Sequence, residues 1–341
     1  MLTQRKRNIL NMIVGDYISS GAPIGSESIA RRHGLAVSPA TIRNDVAELE
    51  QEGYLTRPHT SAGTVPCDRG YRLYVETVMA VRNTSLPDST KTMVRNKLSE
   101  VETNVDGWSD MAATILANLV GNMAIATFPR QRESRINHVE VVRVQDLLVL
   151  LIVVFQQTRR KRHGIRLKKP VGSNDLVNSS NKVNEILKGL SLTEIQSKKM
   201  KLNPFERELV DATAGMLKEE DTDENRYHAL DGLHNLLRQP EFGESEMVRS
   251  VVRSVEDGSL ANAILDKAPE ASVIRVVIGQ ENSEDLLWPL SIVVGRYGIP
   301  GRVTGTLGAI GPVRMEYTRT IAGVELMSDI LSGMVEDFQV F

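Results

Sequence analysis

Apolar positions in the first fifty residues recur at helical spacing and predict three helices. The first helix carries an apolar stripe of Ile9, Leu10, Ile13, Val14 and Tyr17. It is expected to end before Gly21, and a short second helix is expected at 27–33 with Ser26 as its cap. A third helix is predicted at 38–51. Its start is marked by Ser38, which can cap the helix, and by Pro39, which lacks only an N–H that would be unpaired there.

The two sides of the third helix differ in character. Its apolar side carries Ile42, Val46 and Leu49. Its opposite side carries Ala40, Arg43, Asn44 and Ala47, with Thr41 at the edge. Small residues permit close approach to the DNA major groove, where arginine reads guanine and asparagine reads adenine. The pattern therefore predicts a helix-turn-helix in which Arg43 and Asn44 read bases, while Ser38 and Thr41 contact phosphates.

The segment that follows, 53–66, has the composition of a two-stranded ribbon with a polar tip. A ribbon directly after a recognition helix is typical of a wing. Gly63 is expected to supply a positive φ in the turn. The side chains expected to reach phosphate or the minor groove are Arg57, His59, Thr60, Ser61 and Thr64.

Beyond a polar linker at 81–90, the chain alternates between strand-like and helical regions. Helices are expected near 91–104 and 108–121, and strands at 123–128, 139–144, 147–155, 165–169, 273–279, 290–295 and 302–307. Residues 173–267 have a mainly helical pattern, and a last helix is expected from Thr318. The order indicates an α+β domain at 91–172 and 268–341 that is interrupted by an insertion at 173–267, after a DNA-binding domain at 1–80.

The charge distribution does not by itself favour a nucleic-acid partner. The formal net charge is −2, and residues 1–80 hold nine Lys and Arg against eight Asp and Glu. Phosphate neutralisation supplies much of the affinity for DNA, so a near-neutral N-terminal domain argues against DNA binding there.

Residues 130–170 are basic, with eleven Lys and Arg against three Asp and Glu. The basic run 159–163 is interpreted as a solvated hairpin tip in preference to an auxiliary DNA contact. It could instead meet the acidic cluster at 219–224.

Several other classes of protein are disfavoured. Cys67 is the one cysteine, the six histidines lack zinc-ligand spacing, and Gly305, Gly308 and Gly311 do not have dinucleotide-binding spacing. We therefore expect no catalytic, metal or cofactor site. The longest apolar run, 147–155, is too short to span a bilayer, and no signal-peptide core is present, so a cytoplasmic protein without a membrane partner is expected.

Several long motifs resemble those of the HrcA family of heat-inducible transcription repressors. In the DNA-binding region they are 25–26 (GS), 37–45 (VSPATIRND), 48–50 (ELE), 58–63 (PHTSAG) and 65–75 (VPCDRGYRLYV). Further along they are 235–242 (NLLRQPEF), 278–282 (IGQEN) and 305–317 (GTLGAIGPVRMEY). The resemblance covers nearly the whole chain. Cys67 and the segment 226–232 depart from the family pattern, and the latter puts the detail of the insertion in doubt.

The resemblance implies a winged helix-turn-helix domain, a GAF-like antiparallel α+β domain, and a mainly helical dimerisation domain inserted into it. It implies a homodimer that represses chaperone operons of the groE and dnaK type. It also implies an inverted-repeat operator of the CIRCE type and modulation by the GroEL chaperonin.

The residues alone leave alternatives. The first eighty could form a structural three-helix domain with a solvated hairpin. The GAF-like domain could sense a metabolite, which would make the protein a ligand-responsive regulator. An enzyme with a DNA-binding appendage is the weakest alternative, since no nucleophile–base or metal constellation is visible.

Overall fold

The computed structural model describes residues 2–33, 38–59, 62–81, 86–99, 107–131, 133–156, 160–222, 228–243, 245–270 and 273–337. The chain divides into two compact units. The first comprises Met1–Phe128, His228–Gly298 and Gly305–Gly333, and the second comprises Pro129–Tyr227, Ile299–Thr304 and Met334–Phe341. Within the described ranges, no helix is both long and apolar enough to cross a membrane.

The chain begins with the three predicted helices, a two-stranded ribbon and a fourth helix. They are α1 (Gln4–Ser20), α2 (Ser26–His33), α3 (Pro39–Gln51), β1 (Leu55–Thr56), β2 (Val65–Pro66) and α4 (Asp68–Val81). The apolar stripes meet in a shared core, in which Leu10, Ile13, Ile29, Ile42 and Leu49 are fully buried. This core fixes α3 against α1 and α2, as the spacing of its apolar residues predicts.

Both units contain helices and strands, which confirms the α+β class. In chain order, the elements after α4 are α5 (Asp88–Ser99), α6 (Trp108–Val120), β3 (Met123–Thr127), β4 (Arg130–Gln131), β5 (Ile136–Gln145), β6 (Leu148–Phe155), β7 (Arg160–Arg166), α7 (Ser173–Leu187), α8 (Leu192–Ser197), α9 (Pro204–Thr222), β8 (His228–Asp231), α10 (Leu233–Leu237), α11 (Ser245–Glu256), α12 (Ser259–Leu265), β9 (Arg275–Ile278), β10 (Leu290–Ile299), β11 (Val303–Pro312) and α13 (Tyr317–Asp337).

A sheet with the strand order β8-β3-β11-β10-β9 organises the first unit. The pairings β8–β3, β3–β11 and β10–β9 are antiparallel, with Ala124 opposite Asp231 and Ser291 opposite Ile278. An apolar core joins this sheet to α10, α11 and α12. Strand β8 has no counterpart in the sequence analysis. Only Ala229 of its four residues is buried, so it lacks the apolar alternation that marks a strand.

The second unit is built on an antiparallel sheet with the order β5-β6-β7. One face of this sheet packs on α7, α8 and α9, and Val149, Leu151 and Val153 of the middle strand lie in that core. The longest continuous segment of this unit is Pro129–Tyr227, whereas the insertion expected from the sequence is 173–267. The chain does change from strands to helices near residue 172. The strands before this point nevertheless pack on the helices after it.

The basic run near residue 160 lies on a strand. Arg160 is the first residue of β7, and Arg160, Arg162 and His163 are exposed, so this part of the run is solvated as expected but lies on a strand of the β6–β7 hairpin; residues 157–159 lie outside the described part. Lys161 Nζ is 3.1 Å from Glu220 Oε2 and 3.9 Å from Glu219 Oε2. Glu219 and Glu220 of the acidic cluster thus meet the basic run at Lys161.

Candidate nucleic-acid interface

The start of α3 is fixed by hydrogen bonds from its own first turn. The Ser38 hydroxyl accepts a hydrogen bond from the Thr41 backbone N–H at 3.2 Å, and Pro39 occupies the first helical position. The hydroxyls of Ser38 and Thr41 are also hydrogen-bonded to each other, at 3.0 Å. Serine at the cap and proline after it therefore act as the sequence predicts.

The two sides of α3 are divided as predicted. Ile42, Val46 and Leu49 are buried, whereas Ala40, Arg43 and Asn44 are exposed, and Ala47 and Thr41 are partly exposed. The outer side therefore combines two small residues with two polar side chains that extend away from the core. Such a surface can approach base edges in a major groove.

Glu27 is the neighbour of the Arg43 guanidinium, at 3.6 Å from Nη2 to Oε1. The side chains of Arg43 and Glu27 are 64 % and 78 % exposed. An ion pair so exposed to water contributes under about 1 kcal/mol. Arg43 can therefore exchange this partner for a base edge at little cost.

The wing begins as a ribbon in which Leu55 pairs with Pro66 and Thr56 pairs with Val65. Arg57, just beyond β1, donates a hydrogen bond of 2.7 Å to Glu50 Oε1. His59 is exposed. Thr60 and Ser61, at the expected tip, lie outside the described residues.

The expected DNA-contacting role of Thr64 does not agree with its position. Thr64 is 2 % exposed, and its hydroxyl donates a hydrogen bond of 3.2 Å to the Ile24 carbonyl oxygen. The backbones of Thr64 and Ile24 exchange two further hydrogen bonds, each of 2.9 Å. Thr64 therefore joins the wing to the segment before α2, and its side chain is not presented to solvent.

Gly63 also has a different role from the one expected, because its φ is not positive. A Cβ at this position would lie 2.6 Å from the Ile24 carbonyl carbon and 2.7 Å from that of Pro23. Glycine is needed because the wing backbone passes directly against the 23–24 segment, and the turn does not require a left-handed residue.

The sequence analysis missed an ion pair between α1 and α3. Asp45 is 3 % exposed on the inner side of α3, and Arg5 donates hydrogen bonds of 2.7 and 3.0 Å to its two carboxylate oxygens. A signal was present, because Asp45 falls three residues after Ile42 and four before Leu49, within the apolar stripe. A charged residue at such a position needs a partner from another element.

Acidic residues of the N-terminal domain form internal ion pairs with its basic residues. Lys6 contacts Glu48 and lies 3.5 Å from Glu52, and its pKa is raised, chiefly by the hydrogen bond with Glu48. Asp16 lies 3.5 Å from Arg32 and 3.3 Å from the His33 ring. Acidic residues of this domain therefore serve as partners for its own basic residues.

Within the described ranges, no group of three His, Cys, Asp or Glu residues could hold a metal ion. The pKa of Cys67, which follows β2, is raised by burial and by the neighbouring Asp68 carboxylate. A thiol with a raised pKa stays protonated near neutral pH.

Comparisons with known proteins agree with this geometry. Residues 32–65 match the model of the DeoR-like helix-turn-helix domain, and residues 107–321 match that of the HrcA protein C-terminal domain. A heat-inducible transcription repressor HrcA from Dehalococcoides mccartyi is 37 % identical over 337 residues, which cover 99 % of this chain and 97 % of that protein. The HrcA repressor of Chloroflexus aggregans is 32 % identical, with 98 % and 93 % covered. A crystal structure described as a hypothetical protein has a TM-score of 0.57 at 22 % identity, covers 98 % of each chain, and supports the fold alone.

Proposed function

Because the chain belongs to the HrcA family of heat-inducible transcription repressors, we propose that it represses chaperone operons of the groE and dnaK type from an inverted-repeat operator of the CIRCE type. It acts as a homodimer in the cytoplasm, and the GroEL chaperonin modulates its activity. The observation that carries the proposal is the outer side of α3, where Arg43 and Asn44 stand between Ala40 and Ala47.

Each part of the winged helix has a distinct task in this proposal. Arg43 and Asn44 read base edges in the major groove. Ser38 and Thr41 at the start of α3 contact phosphates. The wing residues Arg57, His59, Thr60 and Ser61 add contacts to phosphate or the minor groove, which position the protein without reading sequence.

A homodimer matches the two-fold symmetry of an inverted repeat. The outer face of the β5-β6-β7 sheet supports self-association. The middle strand contributes half-buried Leu148, Leu150, Ile152 and Val154 to it, and Val142 and Val144 of β5 are 40 % and 53 % exposed. Glu140 and Arg162 lie opposite Ile152 on this face, so the apolar strip has a charged border, and an apolar centre with a polar rim is typical of a subunit contact. Ile152→Glu should shift the dimer to monomer in sedimentation, whereas Lys199→Glu, at an exposed position outside the sheet, should not.

The response to heat follows from the population of folded, DNA-competent repressor. A chaperonin that favours this population couples repression to free chaperonin capacity, and misfolded clients that occupy the chaperonin relieve repression. In a gel shift, added GroEL should increase the operator-bound fraction. A bound fraction that never rises with GroEL would remove this part of the proposal.

The first experiment is footprinting of the purified protein across the promoter of its own chaperonin operon. We expect a protected inverted repeat that is bound more tightly than a scrambled duplex at physiological salt. Equal affinity for both duplexes, with and without GroEL, would exclude the repressor function.

Base reading is tested with Arg43→Ala. If Arg43 pairs with guanine through two hydrogen bonds, operator binding should weaken by about 1–3 kcal/mol and binding to scrambled DNA should change little. Arg95→Ala, at an exposed position on α5, is the matched control and should bind as the wild type does. An equal loss on operator and scrambled DNA would show that Arg43 contacts phosphate.

A further inference from the structure

Helix α4, which follows the wing, is bound to the winged-helix core at its first turn. The Cys67 N–H donates a hydrogen bond of 3.0 Å to the Tyr54 carbonyl oxygen. Arg69 donates one of 2.7 Å to the Glu52 carbonyl oxygen, and its guanidinium lies 4.4 Å from the centre of the Tyr54 ring. Any element that holds α4 therefore also holds the recognition helix.

The opposite side of α4 is held by the sheet domain of the same unit through Arg72. Its Nε donates a hydrogen bond of 2.7 Å to Glu281 Oε1, and its Nη2 contacts Oε2 of the same carboxylate. Nη2 also donates a hydrogen bond of 2.8 Å to the carbonyl oxygen of Val276 in β9. The Arg72 side chain is 29 % exposed, so this bidentate pair is partly shielded from water.

Asp68, one turn before Arg72, makes a second contact with the same loop. Its Oδ2 accepts a hydrogen bond of 2.8 Å from the Gln280 N–H. Gly279, with φ of +51°, makes this approach possible, because a Cβ there would overlap the Asp68 carboxylate. The motif 278–282 (IGQEN) therefore binds the first two turns of α4.

A third contact is made from the motif 305–317. Arg314 donates a hydrogen bond of 2.8 Å to the carbonyl oxygen of Ile18 at the end of α1, and its Nε is 2.6 Å from Glu241 Oε1. The rings of Tyr71 and Tyr317 lie 6.0 Å apart between these polar contacts. Two of the three motifs beyond the DNA-binding region, 278–282 and 305–317, thus contact the winged helix directly.

We infer that the winged helix is held by an interdomain latch, which consists of Asp68, Arg72, Glu281 and Arg314. The latch fixes the direction of α3 relative to the sheet domain. It thereby sets the half-site spacing that the repressor accepts. The inference rests on the proposed binding of a homodimer to an inverted repeat. Two recognition helices that are held rigidly can bind two half-sites without further loss of conformational entropy. Winged-helix domains that are held loosely lose conformational entropy when both of them bind. The latch residues contact no DNA in this scheme and act as positioning residues.

The test compares Arg72→Gln with the wild type on four duplexes: the protected operator, the same operator with its spacer lengthened or shortened by two base pairs, and an isolated half-site. For Arg72→Gln we expect binding to the operator to weaken about fivefold to tenfold, a typical coupling between two sites. The preference for the native spacer should fall by a similar factor, and half-site binding should not change. Glu281→Gln should act in the same way, and Arg72→Lys should recover part of the preference.

Two measurements keep the outcome decisive. Exchange of the Gln280 amide, measured without DNA, should be faster in Arg72→Gln than in the wild type. Arg95→Gln, which makes the same change at an exposed position on α5, is the matched control and should behave as the wild type does. Faster Gln280 exchange with an unchanged spacer preference would overturn the inference, as would unchanged exchange or tighter operator binding.

The remaining outcomes separate this inference from the proposed function. A parallel loss on the half-site would show that Arg72 supports the winged helix itself, which would overturn the inference and leave the repressor proposal standing. A wild-type protein that does not distinguish the operator from scrambled DNA would overturn both.

Discussion

The guanidinium of Arg5, near the start of α1, holds the carboxylate of Asp45, in the middle of α3, through two hydrogen bonds of 2.7 and 3.0 Å. Asp45 is buried on the side of α3 opposite Arg43 and Asn44. A carboxylate withdrawn from water is costly unless it is paired. The pair therefore helps to fix which side of α3 faces outward.

Arg5→Gln should lower the free energy of unfolding measured by urea denaturation, because it leaves the buried Asp45 carboxylate without its cation. The effect is limited because 55 % of the Arg5 side chain is exposed, so water can replace part of the contact. The double variant Arg5→Gln with Asp45→Asn should recover part of the loss, since no buried charge then remains. Strictly additive losses would contradict this account.

Thr64→Val should lower the free energy of unfolding by about 1 kcal/mol, because the hydroxyl that donates to the Ile24 carbonyl oxygen is lost. Operator affinity, measured well below the unfolding temperature, should stay within about twofold of the wild type, since a 2 % exposed side chain does not contact DNA. Thr60→Ala or Ser61→Ala should instead weaken binding evenly across sequences. A selective loss of operator affinity in Thr64→Val would restore Thr64 as a DNA contact.

Gly63→Ala should lower stability by about 1–3 kcal/mol and weaken operator binding, because the added methyl group forces the wing away from the Pro23 and Ile24 backbone. Gly15→Ala is the matched control. A Cβ at Gly15, inside α1, meets no atom within 4 Å, so this change should raise stability by about 0.5–1 kcal/mol. Thermal unfolding of both variants checks the pair, and equal effects would contradict the close approach at Gly63.

Operator binding should depend only moderately on salt. Four basic residues of the winged helix have acidic partners within it: Arg5, Lys6, Arg32 and Arg57. Exposed Arg31 forms no ion pair among the described residues. A slope of log K against log salt concentration of about −3 to −6 is expected for the dimer, which corresponds to a few neutralised phosphates on each half-site. A slope near −10 would show that the internal ion pairs open and their basic side chains turn to phosphate.

The sequence by itself determines the outer surface of α3, which we propose reads DNA. The cap at Ser38, the apolar positions of α3 and the small and polar positions opposite them lie within fourteen residues of one another. Helix starts and helix faces are local properties, because they depend on neighbours within one or two turns. Periodicity therefore predicts α1, α2 and α3, and it predicts which side of α3 faces outward.

Only the tertiary structure decides which residues meet across long stretches of chain. Strands β5, β6 and β7 join the helices that follow them, Thr64 turns inward to Ile24, and Arg72 reaches Glu281, more than two hundred residues away. An apolar or charged position shows that a partner is needed and does not say which residue supplies it. That choice depends on how the elements pack as a whole, and for this reason the contacts that hold the winged helix in place are visible only in the folded chain.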